Sequence, residues 1–164
     1  MKIRDLEGKE WECGECLSCA INSKKIQPYG GIIYETGNFI LTQDFSRPIN
    51  RFVVISSKRH VSSFSELTEE ERTELGELLF KTQTALKNLK VCDFFNIYVA
   101  EYSKGHFHLQ VLPRYKWMED ERGTIIGNLN RGFNYAKENL NTEKNLKQIM
   151  MTIENLKAEI RKFG

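Results

Sequence analysis

The fold of this chain is decided by one stretch of sequence, Gly105-His106-Phe107-His108-Leu109-Gln110-Val111-Leu112-Pro113-Arg114. Its polar and apolar residues alternate, and alternate side chains of a β-strand point to the same face of a sheet. The pattern therefore predicts a polar row of His106, His108 and Gln110, with the apolar residues between them packed in the core. Polar groups on a core-like strand are costly unless they are hydrogen-bonded or used. We interpret the row as a functional site rather than as two histidines satisfied in a half-buried strand.

The composition is that of an ordinary globular protein. The 164 residues suffice for one domain with a sizeable core, and 40% of them are apolar and 28% charged. A net charge of +2 favours neither a nucleic-acid coat nor a membrane-binding surface. No run of about 18 apolar residues could span a membrane, and residues 1–8 lack the apolar segment of a secretory signal. We expect a cytoplasmic protein with reduced cysteines.

Hydrophobic periodicity predicts one α+β domain over residues 1–164 with a mainly antiparallel sheet. Thr68 and Glu71 form a capping-box pattern at the start of the first long helix. The charged segment 1–22 looks irregular and is expected to need a metal or the rest of the domain to hold it. Strands are expected at residues 31–35, 38–43, 52–55, 94–102 and 107–115, and helices at residues 69–89, 133–139 and 143–162.

Three cysteines stand close together near the amino terminus, Cys13, Cys16 and Cys19, and they form two overlapping Cys-x-x-Cys pairs. A dense cysteine cluster in a reducing compartment favours a metal site over ordinary thiols in a flexible arm. Zinc takes four ligands, commonly two cysteines and two histidines. Because four protein ligands leave no open coordination position, we expect a structural zinc rather than a catalytic one. The other residues of a suitable type are His60, His106, His108 and Cys92.

The polar row also suits nucleophilic catalysis, because an imidazole can attack a phosphorus atom and form a covalent phosphoramidate. Such a ring must be neutral, with one nitrogen aimed at the substrate and the other held by a partner. The residues just before the row, Ser103, Lys104 and Gly105, could stabilise the developing charge with a hydroxyl, an ammonium and a free backbone N–H. Gln110 can donate a hydrogen bond to a phosphoryl oxygen but cannot act as a general acid at neutral pH.

The row resembles the motif of the histidine-triad superfamily of nucleotide hydrolases and transferases. The family pattern is His-x-His-x-His followed by two apolar residues and often by Pro-Arg, and here Gln110 takes the place of the third histidine. A glutamine there is similar to the transferase branch, which includes galactose-1-phosphate uridylyltransferase and diadenosine tetraphosphate phosphorylase, and to the carboxy-terminal domains of some splicing-associated proteins. The family's order of segments is also present upstream, in residues 16–21, then Asp44, then residues 52–61. The resemblance therefore covers residues 16–114.

The resemblance implies a fold and a role for each matching residue. The implied fold is a five-stranded antiparallel sheet with two helices, usually in a homodimer. The nucleophile would be His108, and Gln110 would bind the phosphoryl group and orient the intermediate. Asp44 would contact the ribose hydroxyls, and Asn96 and Ser103 would lie on the phosphate side. The implied zinc ligands are Cys16, Cys19, His60 and His106.

The sequence thus leads to three functional hypotheses. The first is an enzyme acting on a nucleoside phosphate or dinucleoside polyphosphate, in which His108 forms a nucleotidyl-histidine that water or a second phosphate resolves. The second is a nucleotide- or RNA-binding module without turnover, although the net charge gives no strong footprint for nucleic acid. The third is a zinc-stabilised interaction protein, which predicts no pocket beside His108. We favour the first.

Overall fold

The computed structural model describes residues 1–90, 94–102, 105–119 and 129–163, and these residues form two β-sheets. The smaller sheet pairs β1 (Lys2–Arg4) with β2 (Glu10–Glu12). The larger sheet is antiparallel, and its order across the sheet is β3-β4-β5-β7-β6. The strand that carries the polar row, β7, therefore lies between β5 and the edge strand β6. The five strands are β3 (Ile32–Glu35), β4 (Phe39–Gln43), β5 (Val53–Ser57), β6 (Phe95–Tyr98) and β7 (His108–Pro113).

The helices begin where the sequence supplies caps. The hydroxyl of Thr68 accepts a hydrogen bond from the backbone N–H of Glu71, and the Glu71 carboxylate accepts one from the N–H of Thr68. This reciprocal capping box satisfies two of the free donors at the start of the long helix. The helices are α1 (Leu17–Asn22), α2 (Glu69–Asn88), α3 (Leu129–Asn139) and α4 (Glu143–Ile160), with short 3-10 turns at Phe64–Glu66, Lys116–Met118 and Arg161–Phe163.

One face of the large sheet carries the main hydrophobic core. Alternate residues of the central strands are buried there against the apolar faces of α2 and α4, as the two-residue period of a strand requires. The members of this core include Leu41, Ile55, Leu109 and Val111 from the sheet and Leu75, Leu78, Ile149 and Ile153 from the helices.

The opposite face of the sheet is covered at its two ends. The amino-terminal segment packs over Ile40 through Cys13, Ala20 and Ile21. At the other end, Leu112 packs with side chains of α3 such as Phe133. Between these two covers, the sheet lines an open cleft, which contains His108 and Gln110.

These features confirm the predicted α+β class and the five-stranded antiparallel sheet. The predicted strand 94–102 ends earlier, at Tyr98, and the weaker helix begins earlier than expected, at Leu129. The expected hairpin link at Ser103 and Lys104 lies outside the described residues. Within the described ranges, no helix is both long and apolar enough to cross a lipid bilayer.

The expectation of an irregular segment 1–22 is wrong. Its first part is the β1–β2 hairpin, in which Ile3 pairs with Trp11, and its second part contains α1. Each strand has three residues, so a single apolar side chain per strand is too little to show a period in the sequence. The outward residues are charged, and Lys2 forms an ion pair with Glu10 at 3.0 Å.

Candidate metal centre and active-site cleft

The polar row forms on β7 as the alternation predicts. His108 lies opposite Ser56 of β5, and Gln110 lies opposite Val54 of β5 and Tyr98 of β6. The alternating neighbours Phe107, Leu109 and Val111 are buried in the main core, which confirms the predicted division between the two faces. His106 is buried and lies two residues before the start of the strand.

Four side chains meet at the edge of the cleft to form a Cys2His2 cluster, whose ligand atoms all lie within 4.8 Å of one another. Nδ1 of His106 lies 3.3 Å from Sγ of Cys16 and 3.4 Å from Sγ of Cys19. Nδ1 of His60 lies 3.2 Å from Nδ1 of His106 and from Sγ of Cys19. Bonds of about 2.0–2.3 Å from a tetrahedral zinc would place its nitrogen and sulfur ligands at about these separations. The four residues therefore fit a zinc ion in both chemistry and spacing.

Local structure presents the two sulfurs together. Cys16 is the N-cap residue of α1, and its sulfur accepts a hydrogen bond from the backbone N–H of Cys19 at 3.3 Å. A helical turn after the cap brings the second cysteine back to the first, which is why the Cys-x-x-Cys spacing suits a metal. Cys13 is not part of the cluster, because its sulfur lies 3.2 Å from the backbone carbonyl of Met1.

The backbone of Ser57 fixes the His106 ring with its metal-binding nitrogen exposed to the cysteines. Nε2 of His106 donates to the carbonyl of Ser57 at 2.6 Å, and the Ser57 hydroxyl lies 3.2 Å from the same nitrogen. With the proton on Nε2, the lone pair of Nδ1 is available to a metal. Such a partner for the second ring nitrogen is usual for histidines that bind metals. Asn22 in turn donates to the Ser57 carbonyl at 3.1 Å, so α1 and β5 support one another around the cluster.

The protonation states of the His106 ring and the Cys19 thiol are compatible with metal binding that releases protons. Burial lowers the pKa of His106, and the nearby His60 and His108 rings lower it further. The hydrogen bond to the Ser57 carbonyl raises the same pKa but does not outweigh them. The neutral ring is the form that binds a metal. Burial and the adjacent Cys16 sulfur raise the pKa of the Cys19 thiol to about 11. Metal binding must therefore displace a proton from Cys19.

The ring of His108 is oriented by backbone alone. Its Nδ1 donates to the carbonyl of His106 at 2.8 Å. A neutral imidazole has one protonated nitrogen, so Nε2 keeps its lone pair. The ring is half-buried and lines the cleft, where that lone pair can meet a ligand.

The cleft beside His108 has a volume of about 360 Å³. This volume lies within the range of small-molecule binding sites. The walls of the cleft differ in polarity. The wall formed by the amino-terminal segment and Phe45 is mostly apolar, with Ile3, Leu17 and Ile21, and it also carries Glu15 and Ser18. The sheet contributes a polar floor that includes Thr42, Ser56, His108 and Gln110. A zinc-stabilised interaction protein predicts no pocket beside His108, and on that point the third hypothesis is wrong.

Asp44 lines the same cleft as His108 but is held by several donors. It is buried, and one carboxylate oxygen accepts hydrogen bonds from the backbone N–H groups of Ser46 and Arg47. The other oxygen accepts one from the Arg47 guanidinium at 2.9 Å. The face of that guanidinium lies 4.2 Å from the centroid of the Phe133 ring. Asp44 and Arg47 thus form one fixed unit at the far end of the cleft.

Two further predicted site residues, Asn96 and Gly105, do not line the cleft. Asn96 lies on β6 and lines a separate, smaller apolar cavity with Leu112 and Phe133. The backbone N–H of Gly105, expected to be free, donates to the carbonyl of Tyr102 at 2.7 Å, so that expectation is wrong. Ser103 and Lys104 lie outside the described residues.

Solved structures from several organisms are similar to this chain over most of its length. A Zn-bound histidine triad family protein from Mycobacterium smegmatis has a TM-score of 0.59 at 18% identity, over 88% of this chain and 99% of that one. A HIT family protein from Bacillus anthracis has a TM-score of 0.56 at 25% identity, over 88% and 98% of the two chains. The chain therefore has the fold of these histidine-triad proteins, and its Cys2His2 cluster fits a zinc site.

A further histidine-triad neighbour is a hypothetical nucleotide-binding protein from Sulfolobus tokodaii, with a TM-score of 0.54 at 18% identity over 87% of this chain and 94% of that one. No family model and no curated protein matches the chain. Compared with the His-x-His-x-His pattern of the histidine-triad proteins, the row of this chain reads His-x-His-x-Gln, with Gln110 at the third position.

Sequence reasoning missed several residues of the cleft. Thr42 and Ser56 are buried on its floor, and Arg47 lies at its end. A weak signal was present, because Thr42 and Ser56 are polar residues of mainly apolar strands and share a face with His108. The contact of Arg47 with Phe133 joins residues 86 positions apart in the chain, which no local pattern indicates.

Proposed function

We propose that this protein transfers or hydrolyses the nucleotidyl group of a nucleoside phosphate or dinucleoside polyphosphate through a covalent nucleotidyl-histidine. The observation that carries the proposal is the state of His108: its Nδ1 is held by the His106 carbonyl, and its other nitrogen is left for the cleft. A neutral imidazole oriented in this way is an effective nucleophile toward phosphorus.

The reaction begins when the lone pair on Nε2 of His108 attacks the α-phosphorus. A P–N bond forms while the P–O bond to the leaving group breaks, and the leaving group departs with the bonding electron pair. The Nδ1 proton stays on the ring, hydrogen-bonded to the carbonyl of His106. That carbonyl stabilises the positive charge that develops on the ring. Water or another acceptor then attacks phosphorus, the P–N bond returns its electron pair to Nε2, and the proton of the acceptor passes to solvent.

Gln110 holds a phosphoryl oxygen through its side-chain amide in this proposal. It shares the sheet face with His108 at the floor of the cleft. An amide keeps one protonation state, so it stabilises charge without giving a proton to the leaving group. The leaving group must then be stable as an anion, as a phosphate or a nucleotide is. Transfer to a non-water acceptor should compete with hydrolysis, because an amide in this position cannot take a proton from an attacking water.

The nucleoside would lie between the polar floor and the apolar wall. Ile21 and Phe45 offer a flat apolar surface to a base. Asp44 would accept a hydrogen bond from a ribose hydroxyl, since each carboxylate oxygen has two lone pairs and Oδ2 accepts one bond, from Arg47. Asn96, Ser103 and Lys104 stay predictions as phosphate-side residues.

The metal cluster is proposed to hold a structural zinc ion. When bound, zinc would supply rigidity by joining the start of α1 to the loop after β5 and to His106. Four protein ligands leave no open position for substrate. The proposal includes a homodimer in the cytoplasm, supported by the edge strand β6, where Ile97 and an adjoining Val99 are exposed. Size-exclusion chromatography with light scattering measures that oligomeric state directly.

A turnover panel tests the enzymatic proposal. The zinc-loaded protein is incubated with dinucleoside polyphosphates and nucleoside diphosphates of each base, and the released nucleotide is measured. We expect turnover of at least one compound and its loss in His108→Ala, with zinc content and thermal unfolding unchanged. Binding of nucleotides without turnover, unaffected by His108→Ala, would instead favour the non-catalytic nucleotide- or RNA-binding module. The Gly105 N–H donates to the Tyr102 carbonyl, so it is not available as a donor to phosphate. This observation favours the second candidate.

A further inference from the structure

Arg47 is a charged group of the cleft that the proposed chemistry at His108 does not use. Among the described residues that line this cleft, Arg47 is the only lysine or arginine. One nitrogen of its guanidinium donates to Asp44, and its face rests on Phe133. A guanidinium has five N–H donors in a fixed fork. Its other N–H groups have no hydrogen-bond partner among the described residues.

The pair of Arg47 and Asp44 presents its positive end to the cleft. The Arg47 side chain is 30% exposed, whereas the Asp44 side chain is 5% exposed. The carboxylate also accepts two backbone N–H groups, so part of its charge is compensated without Arg47. An anion that enters the cleft therefore meets the guanidinium first. Because Asp44 and Phe133 hold the guanidinium in place, little side-chain entropy is lost when an anion binds.

The position of Arg47 separates it from the reacting phosphorus. His108 lies in register with Ser56 and Ile40, whereas Asp44 directly follows β4 and lies four residues beyond Ile40 in the chain. Four residues of a strand span about 13 Å, and the two intervening strand spacings add about 10 Å sideways. The Cα atoms of Asp44 and His108 are therefore roughly 16 Å apart, so an anion held by Arg47 beside Asp44 is not the phosphate that reacts at His108. It must be a second anionic group of the substrate.

The position of Arg47 relative to His108 indicates which part of the substrate carries the second anionic group. In the proposed binding mode the ribose lies at Asp44, next to Arg47, and the leaving group lies beyond the phosphorus on the side away from the ribose. A polyphosphate chain would therefore extend away from Arg47. A phosphate on the 2′ or 3′ oxygen of the ribose would point toward it.

We propose that Arg47 is a specificity-determining residue that selects nucleotides carrying a second phosphate on the 2′ or 3′ oxygen of the ribose. This inference rests on the proposed function, because it takes the 5′ phosphorus to His108 and the ribose to Asp44. The second phosphate is either a terminal monoester or the diester that links a following nucleotide. Both offer anionic oxygens that a guanidinium binds through charge-assisted hydrogen bonds.

Equilibrium binding to the zinc-loaded protein tests the inference without turnover. Calorimetry first identifies which of the four nucleoside 5′-monophosphates binds most tightly. The same nucleoside is then measured as its 3′,5′-bisphosphate, its 2′,5′-bisphosphate and a 5′-phosphorylated dinucleotide. We expect at least one of these to bind roughly tenfold or more tightly than the monophosphate. Preference for a bisphosphate indicates a terminal phosphate, and preference for the dinucleotide indicates a diester.

Substitution of Arg47 separates recognition from structure. Arg47→Gln should reduce the preference to about one while the 5′-monophosphate still binds, and retained binding shows that the variant is folded. Arg47→Lys keeps a charge but loses the fork, so it should keep part of the preference. Arg161→Gln changes the same charge at the exposed end of the chain and should keep the full preference.

The possible failures are distinguishable. Equal affinity for the monophosphate and all three doubly phosphorylated ligands would overturn the inference and leave the proposed function standing. A preference that survives in Arg47→Gln would also overturn it, because another group would then bind the second phosphate. Failure of every 5′-monophosphate to bind would contradict the proposed function itself and the inference with it.

Discussion

The backbone carbonyl of His106 accepts a hydrogen bond from Nδ1 of His108, while the side chain of His106 belongs to the metal cluster. One residue thus links the two centres through two different groups. Removal of the His106 side chain would disturb the metal but leave the carbonyl in place. The metal cluster and the orientation of the proposed nucleophile are therefore adjacent but separable, and substitutions can test each of them alone.

Loss of a metal ligand should reduce both zinc content and stability. In Cys19→Ser, one of the four ligands is replaced by a hydroxyl, which binds zinc poorly. We expect zinc to fall well below one ion per chain and the unfolding temperature to fall by roughly 10 °C. Elemental analysis by mass spectrometry and calorimetry measure the two quantities.

Cys13→Ser is the matched control for that experiment, since Cys13 lies close to the cluster in sequence but outside it in space. It should retain a full complement of zinc. Equal zinc loss in both variants would contradict the ligand set.

The pH dependence of stability should report the ion pair that holds the loop of His60 to α2. The guanidinium of Arg59 donates to both oxygens of the buried Glu71 carboxylate, at 3.0 and 2.7 Å. These bonds and the capping bond from Thr68 lower the pKa of Glu71 to about 2. Because the pKa is lowered on folding, this contribution is complete above the ordinary glutamate pKa of about 4.3 and is lost as the pH falls toward 2.

Glu71→Gln should therefore lower the free energy of unfolding by about 1–2 kcal/mol at pH 7, since Arg59 is half exposed and solvent weakens the pair. The difference from the wild type should shrink as the pH falls below 4. Urea unfolding at several pH values measures it, and Glu70→Gln, an exposed change in the same helical turn, should have little effect. A constant difference from pH 7 to pH 2 would argue against this origin.

Gly30 should be required for the packing of α4 on the sheet. Its backbone has a φ of +72°, and an added Cβ would lie 2.5 Å from Cδ1 of Ile153 in the core. Gly30→Ala should lower the free energy of unfolding by roughly 2–4 kcal/mol, from the left-handed backbone and the overpacking together. In Gly8→Ala the φ is +81° but no atom lies within 4 Å of the added Cβ, so only the backbone cost of about 1–2 kcal/mol is expected. Equal losses of unfolding free energy in the two variants would show that the Ile153 side chain moves aside without an energetic penalty.

The identity of residue 110 should control the choice between water and other acceptors. Gln110→His introduces a group that can transfer protons, so the fraction of nucleotide released by hydrolysis should rise by roughly tenfold relative to transfer. The ratio is measured with a labelled nucleotide at a fixed phosphate concentration. Exclusive hydrolysis by the wild type at high phosphate concentration would contradict the proposed role of the amide.

Much of this protein could be predicted from its sequence, because the deciding patterns are local. Alternation predicted which face His108 and Gln110 would share, and the capping box at Thr68 predicted where α2 begins. The ligand set of the metal cluster came from the resemblance to a family, and the structure brings those four side chains together.

The rest could not be predicted because it depends on contacts between distant segments. The short β1–β2 hairpin is stabilised by the pairing of Ile3 with Trp11 and not by a repeated pattern. The fixed position of Arg47 depends on its contact with Phe133. Phe133 belongs to α3, which comes after β5, β6 and β7 in the sequence and is therefore far from Arg47 along the chain. The bonded state of the Gly105 N–H depends on the backbone path at Tyr102, which the residue types do not reveal.

The mass of the intact protein during turnover tests the central claim most directly. The zinc-loaded protein is mixed with the substrate identified by the panel, quenched at alkaline pH to preserve a phosphoramidate, and analysed by mass spectrometry with peptide mapping. We expect an added mass equal to one nucleotidyl group on the peptide that contains His108, and no adduct in His108→Ala. Turnover by the wild type without an adduct, together with undiminished activity in His108→Ala, would contradict the account.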